Sequence, residues 1–300
     1  MALTLFNICD ILSFVMQVNK ISKVTLDNPF DASPDEVRNR AKEIRKKIVW
    51  MNSHAGQGHT GADLSETDIL AALFFRVLKY RRDFPQDSDR DRFILSKGHG
   101  VGGLYCTLAE AGLLEESLLQ TYLQFDSRLP GHPVRQKTPF IEINTGALGH
   151  GLSVGVGLAL SAKKSGRGFR VFVLLGDGEL QEGSNWEAAM SAAHFKLDNL
   201  VAIVDRNTLQ LADRTETIMA LEPLDRKWES FGFDVKGVDG NDPAAFIEAV
   251  GSLDPACGKP HVIIAHTVKG KGVSFIEDRA AWHHKIPVGD QVREAIEELE

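Results

Sequence analysis

Two side chains tipped with oxygen, Asp177 and Asn207, each follow an apolar run. Val171 to Leu175 leads into Gly176-Asp177-Gly178, and Leu200 to Val204 leads into Asp205-Arg206-Asn207. Residues 184–196 between them read as a helix, which makes the stretch a β-α-β unit. Such a crossover predicts parallel, adjacent strands whose C-terminal ends share one edge. Ligands of open α/β sheets sit at that edge. Asp177 and Asn207 should therefore arrive side by side. Gly176 and Gly178 permit a tight turn and close backbone approach. Hard oxygen donors with room for a phosphate suit Mg²⁺ or Ca²⁺ held together with a diphosphate. The bland alternative is an ordinary turn after a buried strand. A Gly-Asp-Gly alone is a weak signal; strand, helix, second strand and Asn in one register make a stronger one.

Other segments could share that chemistry. Asn144-Thr-Gly146-Ala-Leu148-Gly-His150-Gly151 opens a Gly-, Ala- and Ser-rich stretch from Gly146 to Ala162 that reads as a closely packed buried helix after a Gly-rich turn. Backbone N–H groups and a helix N-terminus there could meet an anion, or the glycines could serve only close packing. His59, His99, His132 and His283 each fall in a loop beside Gly, Pro or Trp. Lone loop histidines are usually structural. Several together could donate to sugar hydroxyls and move protons near neutral pH. Zinc carries little weight, because neither a helical His-Glu-x-x-His nor a Cys partner is present. Glu182 and Glu187 open the 184–196 helix, where carboxylates are electrostatically favourable. Asp87-Ser-Asp-Arg-Asp91 starts like a calcium loop, but Arg92 stands where the glycine belongs, so it reads as a solvated loop. No Gly-x-Gly-x-x-Gly lies in dinucleotide-binding register and no Walker-type loop is present, which disfavours nicotinamide enzymes and P-loop ATPases.

The elements around these residues alternate. Ser33-Pro-Asp-Glu36 is a capping box opening a helix to about Asn52. Ser65-Glu-Thr-Asp68 reads as the start of another, through Leu78. Phe93-Ile-Leu-Ser96 is a short strand, 224–231 a helix, 233–238 a strand, 242–250 a helix, 261–266 a strand and 290–299 an amphipathic helix. Strands alternating with helices, and strands that are apolar throughout, predict an α/β fold: a mostly parallel sheet with helices on both faces. The chain has 300 residues, a net charge of −7 and 25% charged residues. That balance argues against a nucleic-acid partner, and the length suits one large α/β domain or two small ones. Cys9, Cys106 and Cys257 are odd in number and widely spaced, which suits a reducing cytoplasm better than a disulfide framework. Ala2 to Val18 is apolar but interrupted by Asn7 and Asp10, with no basic region and no clear cleavage site. It reads as neither a signal peptide nor a membrane span. A docking helix, a disordered arm and residues upstream of a start at Met16 remain, the last two favoured. The expected division is an arm over 1–32 and a ligand-binding domain over 33–300.

At this point the chain resembles a family. Gly176-Asp-Gly178 followed about thirty residues later by Asn207 is the thiamine diphosphate motif, and GDGELQEGSNWEAA is similar to transketolases. The resemblance runs from about Ser33 to the end and implies a thiamine diphosphate-binding fold. It implies Asp177, Asn207 and the Leu209 carbonyl as ligands of Mg²⁺ or Ca²⁺. It implies cofactor contacts at His99, Gly146, Leu148, Gly176, Asp177, Gly178, Glu182, Glu187 and Asn207, with Glu182 and Glu187 in an acidic network at a subunit interface. His59, His99, His132 and His283 would line the sugar channel as catalytic residues. Three positions depart from the family: Thr60 replaces a Pro, His150 a Gln and His284 a Gly.

The resemblance covers only the diphosphate-binding half of a transketolase. It implies the N-terminal subunit of a split enzyme, active with a separate pyrimidine-domain subunit, as α₂β₂, in the cytoplasm. The reaction would move a two-carbon ketol unit between sugars or sugar phosphates. Two alternatives stand: the α-subunit of a 2-oxo acid dehydrogenase, and a non-catalytic cofactor-binding domain.

Overall fold

The computed structural model describes residues 26–300. The N-terminal readings on Ala2 to Val18, Met16 and Cys9 lie outside the described residues. Residues 26–32 lie against the body of the domain. The Asn28 amide donates to the Phe74 and Leu78 carbonyls, and Phe30 meets the Phe75 ring edge-on.

Five strands of the described residues form one parallel sheet in the order β1-β2-β3-β5-β4. They are β1 (Arg92–Leu95), β2 (Val171–Gly176), β3 (Leu200–Arg206), β4 (Asp234–Asp239) and β5 (His261–His266). β2 and β3 are neighbours, with Gly176 opposite Asp205. The expected adjacency of the two motif strands therefore holds. All five C-terminal ends open at one edge.

Alternation along the strands divides the core in two. Phe172, Leu174, Val201, Ile203, Ile263 and Ala265 face one cluster. It is completed by α1 (Pro34–Ala55), α2 (Thr60–Ser65), α3 (Thr67–Ala72), α4 (Val101–Glu110), α9 (Pro243–Gly251) and α10 (Asp290–Glu298). Val171, Val173, Leu175, Ala202, Val204 and Ile264 face the other, under α5 (Gly151–Lys164), α6 (Gly183–His194) and α8 (Leu224–Ser230). A short α7 (Thr215–Ile218) lies between β3 and α8. Helices on both faces explain why β2, the Leu200–Val204 run of β3 and the Val262–Ala265 run of β5 are continuously apolar. β4, at an edge, carries Asp234, Lys236 and Asp239 and is only partly buried.

The Ser33 capping box forms as expected: its hydroxyl accepts from the Glu36 N–H at 3.3 Å, and the Glu36 carboxylate accepts from the Ser33 N–H at 2.7 Å. Two element readings need correction. Ser65 does not open a helix. The helix starts at Thr60, pauses at Glu66 and resumes, then ends in a wide turn over Leu73–Val77. The Ser65 hydroxyl is instead drawn to the buried Asp205 carboxylate at 2.6 Å, a tertiary partner that local sequence cannot show. Helix α4 is absent from the sequence reading because Gly102 and Gly103 argue against a helix. Their missing Cβ atoms explain it. A Cβ on Gly102 would stand 2.6 Å from the Asp63 carboxylate, and one on Gly103 2.9 Å from that of Glu66.

Candidate active site

Four of the five strands lead into polar side chains at the shared edge. The turn after β1 carries Lys97 and His99, β2 ends at Gly176-Asp177, β3 at Asp205-Arg206-Asn207, and the segment after β5 carries Lys269. Asp177 is 2% exposed. Its Oδ1 accepts from the Gly178 N–H at 2.8 Å, and its Oδ2 from the Thr208 N–H at 2.6 Å and Arg206 Nη1 at 2.9 Å. The Asn207 Oδ1 accepts from the Leu209 N–H at 3.1 Å, while its amide nitrogen donates to Asp205 at 3.1 Å. The Leu209 carbonyl accepts from the Lys269 ammonium at 3.1 Å. The structure thus gathers the three expected ligand residues on adjoining turns. A carboxylate, an amide oxygen and a peptide carbonyl are hard donors, and that set fits Mg²⁺ or Ca²⁺. Burial pushes the Asp177 carboxyl above its usual range, with the Asp205 charge adding to it. A cation beside it would reverse that shift.

Beneath these turns lies a network of buried charges. Lys97 reaches the Asp205 carboxylate and pairs with Glu66 at 2.9 Å, all three at most 1% exposed. Burial works against the Lys97 charge, but Asp205 and Glu66 outweigh it and raise its pKa. Burial likewise works against the Asp205 carboxylate, and Lys97 holds it ionised below the usual range. Glu66 lies well above its range, from burial and the neighbouring Asp63. Burial raises Asp63 to about 6, although the Asn52 amide donates to it at 2.8 Å. Arg206 ties Asp177 to Thr215, Glu216 and Glu222, so one guanidinium connects the Gly176–Gly178 turn to the chain beyond it.

The histidines converge. His59 lies 5.4 Å from His99 and 5.9 Å from His283, and His99 lies 5.5 Å from His283, between ring centroids. His284 joins them, 4.4 Å from His59 and 4.9 Å from His283. His132 is more exposed and lies over Gly146, where a Cβ would stand 2.9 Å from the ring. Burial, reinforced by His284, His132 and the two lysines, lowers His59 to about 4. Burial and Lys269 lower His283 to about 2. Burial and Lys97 put His99 well below its usual value, and burial lowers His132. These rings are neutral near pH 7, so each offers one donor and one acceptor. The Lys269 ammonium stands 2.8 Å from His283 Nδ1, and burial brings that lysine down to about 8. With Nδ1 accepting, the His283 proton is assigned to Nε2.

The glycine segment forms the loop before α5. Gly146, at φ +145°, accommodates His132, and Leu148 is half-buried. Gly149 is held at both ends, its N–H by Glu179 at 2.9 Å and its carbonyl by the Ser184 hydroxyl at 2.8 Å. His150 is exposed at the helix start. Glu182 and Glu187 are exposed at the start of α6. The Glu182 Cβ faces Gly149, where an added Cβ would stand only 2.6 Å away. Thr60, the first of the departures, is buried and accepts from the Asn52 amide at 3.2 Å.

Sequence reasoning missed Lys97, Asp205, Arg206, Lys269, Asp63, Glu66 and Glu179. Lys97 and Arg206 each lie beside a motif residue that the sequence does single out, and that adjacency was the available signal.

The fold and this edge define an α/β enzyme domain with its polar side chains gathered at the C-terminal ends of a parallel sheet. The family described as "Transketolase, thiamine diphosphate binding domain" matches residues 37–299, and the chain belongs to it. Among its relatives, one of the named subunits of apulose-4-phosphate transketolase from Actinobacillus succinogenes is 56% identical over 273 residues, 91% of this chain and 99% of that protein. A 6-deoxy-6-sulfo-D-fructose transketolase subunit from Clostridium sp. is 39% identical, over 88% of this chain and 96% of that one. The solved transketolase of Campylobacter jejuni superposes with a TM-score of 0.82 at 32% identity, covering 88% of this chain and 43% of that one. The chain thus spans less than half the length of that transketolase, but nearly the full length of the two named subunits. The expectation of a transketolase N-terminal subunit, part of a transferase, holds, and the oxo acid dehydrogenase alternative is not favoured.

Proposed function

We propose that this chain holds the diphosphate end of thiamine diphosphate with Mg²⁺ or Ca²⁺. With a separate pyrimidine-domain subunit, as α₂β₂, it transfers a two-carbon ketol unit from a ketose phosphate to an aldose phosphate. The carrying observation is the placement of Asp177, Asn207 and the Leu209 carbonyl on adjoining turns at the same sheet edge as His59, His99 and His283. The cofactor supplies the nucleophilic carbon and the electron sink. The chain's own residues bind and orient. Asp177, Asn207 and the Leu209 carbonyl ligate the cation; Gly146, Leu148, Gly176, Gly178 and His99 contact the cofactor. Lys269, released from the Leu209 carbonyl, offers its charge to the diphosphate. The neutral rings of His59, His99, His132 and His283 donate to sugar hydroxyls and pass protons, with His283 oriented by Lys269. Glu182, just before α6, and Glu187 within it are both exposed and face a subunit interface. Among the described residues no helix is long and apolar enough to cross a membrane; cytoplasmic sugar metabolism is the proposed setting.

The name of the Actinobacillus relative makes apulose 4-phosphate the first ketose to try, with xylulose 5-phosphate beside it and ribose 5-phosphate as acceptor. The test is ketol transfer by this chain alone and after mixing with the pyrimidine-domain subunit, in thiamine diphosphate and Mg²⁺. Activity in the mixture alone supports the split enzyme. A mixture that binds cofactor without turning over either ketose would leave the cofactor-binding function and remove these substrates.

A further inference from the structure

Glu179 is 2% exposed, and both its carboxylate oxygens are engaged by parts of the chain far apart in sequence. Oε1 accepts from the Ser96 hydroxyl and from the Gly149 N–H at 2.9 Å. Oε2 accepts from the Gly176 N–H at 3.0 Å. Only the last of these is local. A residue that merely closed its own turn would need no more than the Gly176 bond. The backbone of Glu179 is itself fixed, its carbonyl accepting from the Asn185 amide at 2.7 Å.

Resting on the function proposed above, we infer that Glu179 is a positioning residue: one carboxylate holds the Lys97–His99 turn, the Gly146–Gly149 loop and the Gly176–Asp177 turn in a fixed relation. The three turns also pack on one another. A Cβ on Gly98 would stand 2.9 Å from the Gly146 nitrogen, and a Cβ on Gly151 would collide with that of Ser96. With so little space between the turns, a shift at the carboxylate moves all of them. Burying a carboxylate is costly unless donors surround it. Here each donor belongs to a different turn, so the compensation of the charge and the alignment of the site are one set of bonds. Glu179 touches neither substrate nor cofactor in this role; it acts through the amides and the hydroxyl it accepts from.

Glu179→Gln keeps the volume but not the pattern. Whichever way the amide is turned, its NH₂ faces an N–H donor at Gly176 or at Gly149, so one turn is released. Ser96→Ala removes one bond and leaves the carboxylate in place. The experiment measures the dissociation constant of thiamine diphosphate with Mg²⁺ by calorimetry, on this chain mixed with its pyrimidine-domain partner. It also measures the sugar KM at saturating cofactor, and amide exchange of peptides containing Gly149 and Gly176 in the chain alone. The expected result for Glu179→Gln is a cofactor dissociation constant raised about tenfold or more, a sugar KM within about twofold, and faster exchange at one or both glycine turns. Ser96→Ala should raise the dissociation constant by about two- to fivefold, and it decides the matter if the Gln variant does not fold. A lowered melting temperature with unchanged cofactor affinity in the folded variants would reduce Glu179 to a stabilising residue and overturn the inference. Wild-type complex that binds no thiamine diphosphate would overturn the proposed function itself, and the inference with it.

Discussion

Asp177 and His99 differ in what they should do to binding and to turnover. Asp177 is a proposed ligand of the cation and is tied to Arg206, which retains Glu216 and Glu222 when Asp177 is replaced. Asp177→Ala should therefore leave a folded protein whose metal-dependent cofactor binding is lost, by about a hundredfold or more in a titration with Mg²⁺. Equal affinity would remove the metal assignment. His99→Ala should slow turnover more than it weakens cofactor binding; matched losses would remove its catalytic role. Lys269 gives a pH signature. Burial lowers it to about 8 from an ordinary value of 10.5, so the folded chain binds fewer protons than the unfolded chain between those values. Stability must rise with pH across that window, and the cost of the buried charge is fully present below pH 8. Lys269→Met removes the cost. It should melt higher than wild type at pH 7, and the difference should shrink toward pH 10 in thermal unfolding scans. Asp177 and Asn207 could be placed side by side from the sequence because each directly follows its own strand. Lys97 and Glu179 were not. Their partners, Asp205 and Ser96, lie 108 and 83 residues away, and only the folded sheet brings them together.

Of the two glycine-rich helices, α5 was legible and α4 was not, and space explains the difference. In α4, Gly102 and Gly103 pack against carboxylates of α2 and the residue after it, Asp63 and Glu66, so they are there for clearance rather than flexibility. Gly157 of α5 is exposed, and an added Cβ would meet nothing within 4 Å. The two glycines should respond in opposite directions to alanine. Gly103→Ala forces a Cβ to 2.9 Å from the Glu66 carboxylate. Overpacking at a buried site of this kind costs about 1–3 kcal/mol. Gly157→Ala gains about 0.5–1 kcal/mol from helix propensity. Denaturant melts of the chain check both; a stabilised Gly103→Ala would mean that α4 is packed less closely than its contacts indicate. The strands were read almost to the residue because period and length agree for a doubly covered sheet. The Ser65 start failed because a buried carboxylate competed for its hydroxyl.

At the scale of the whole chain, segments next to the site residues in sequence leave apolar side chains uncovered. Leu211 is 61% exposed, Met219 59% and Val288 59%. Leu211 follows the expected ligand Leu209, Met219 follows α7, and Val288 lies just beyond His283 and His284. Large apolar side chains left exposed next to site residues along the chain suit a surface that a partner covers. The relatives named as transketolase subunits supply the kind of partner, another transketolase subunit. On the function proposed above, that subunit completes the cofactor site. The same contact should then close the sugar channel and bury these side chains. Hydrogen exchange on the chain alone and in the mixture separates this from a partner bound elsewhere. Peptides over 209–219 and 283–288 should become protected, while α8, already packed under the sheet through Trp228, should not change. Protection at α8 without protection at 209–219 would place the partner on the covered face of the sheet, where it could not complete the site.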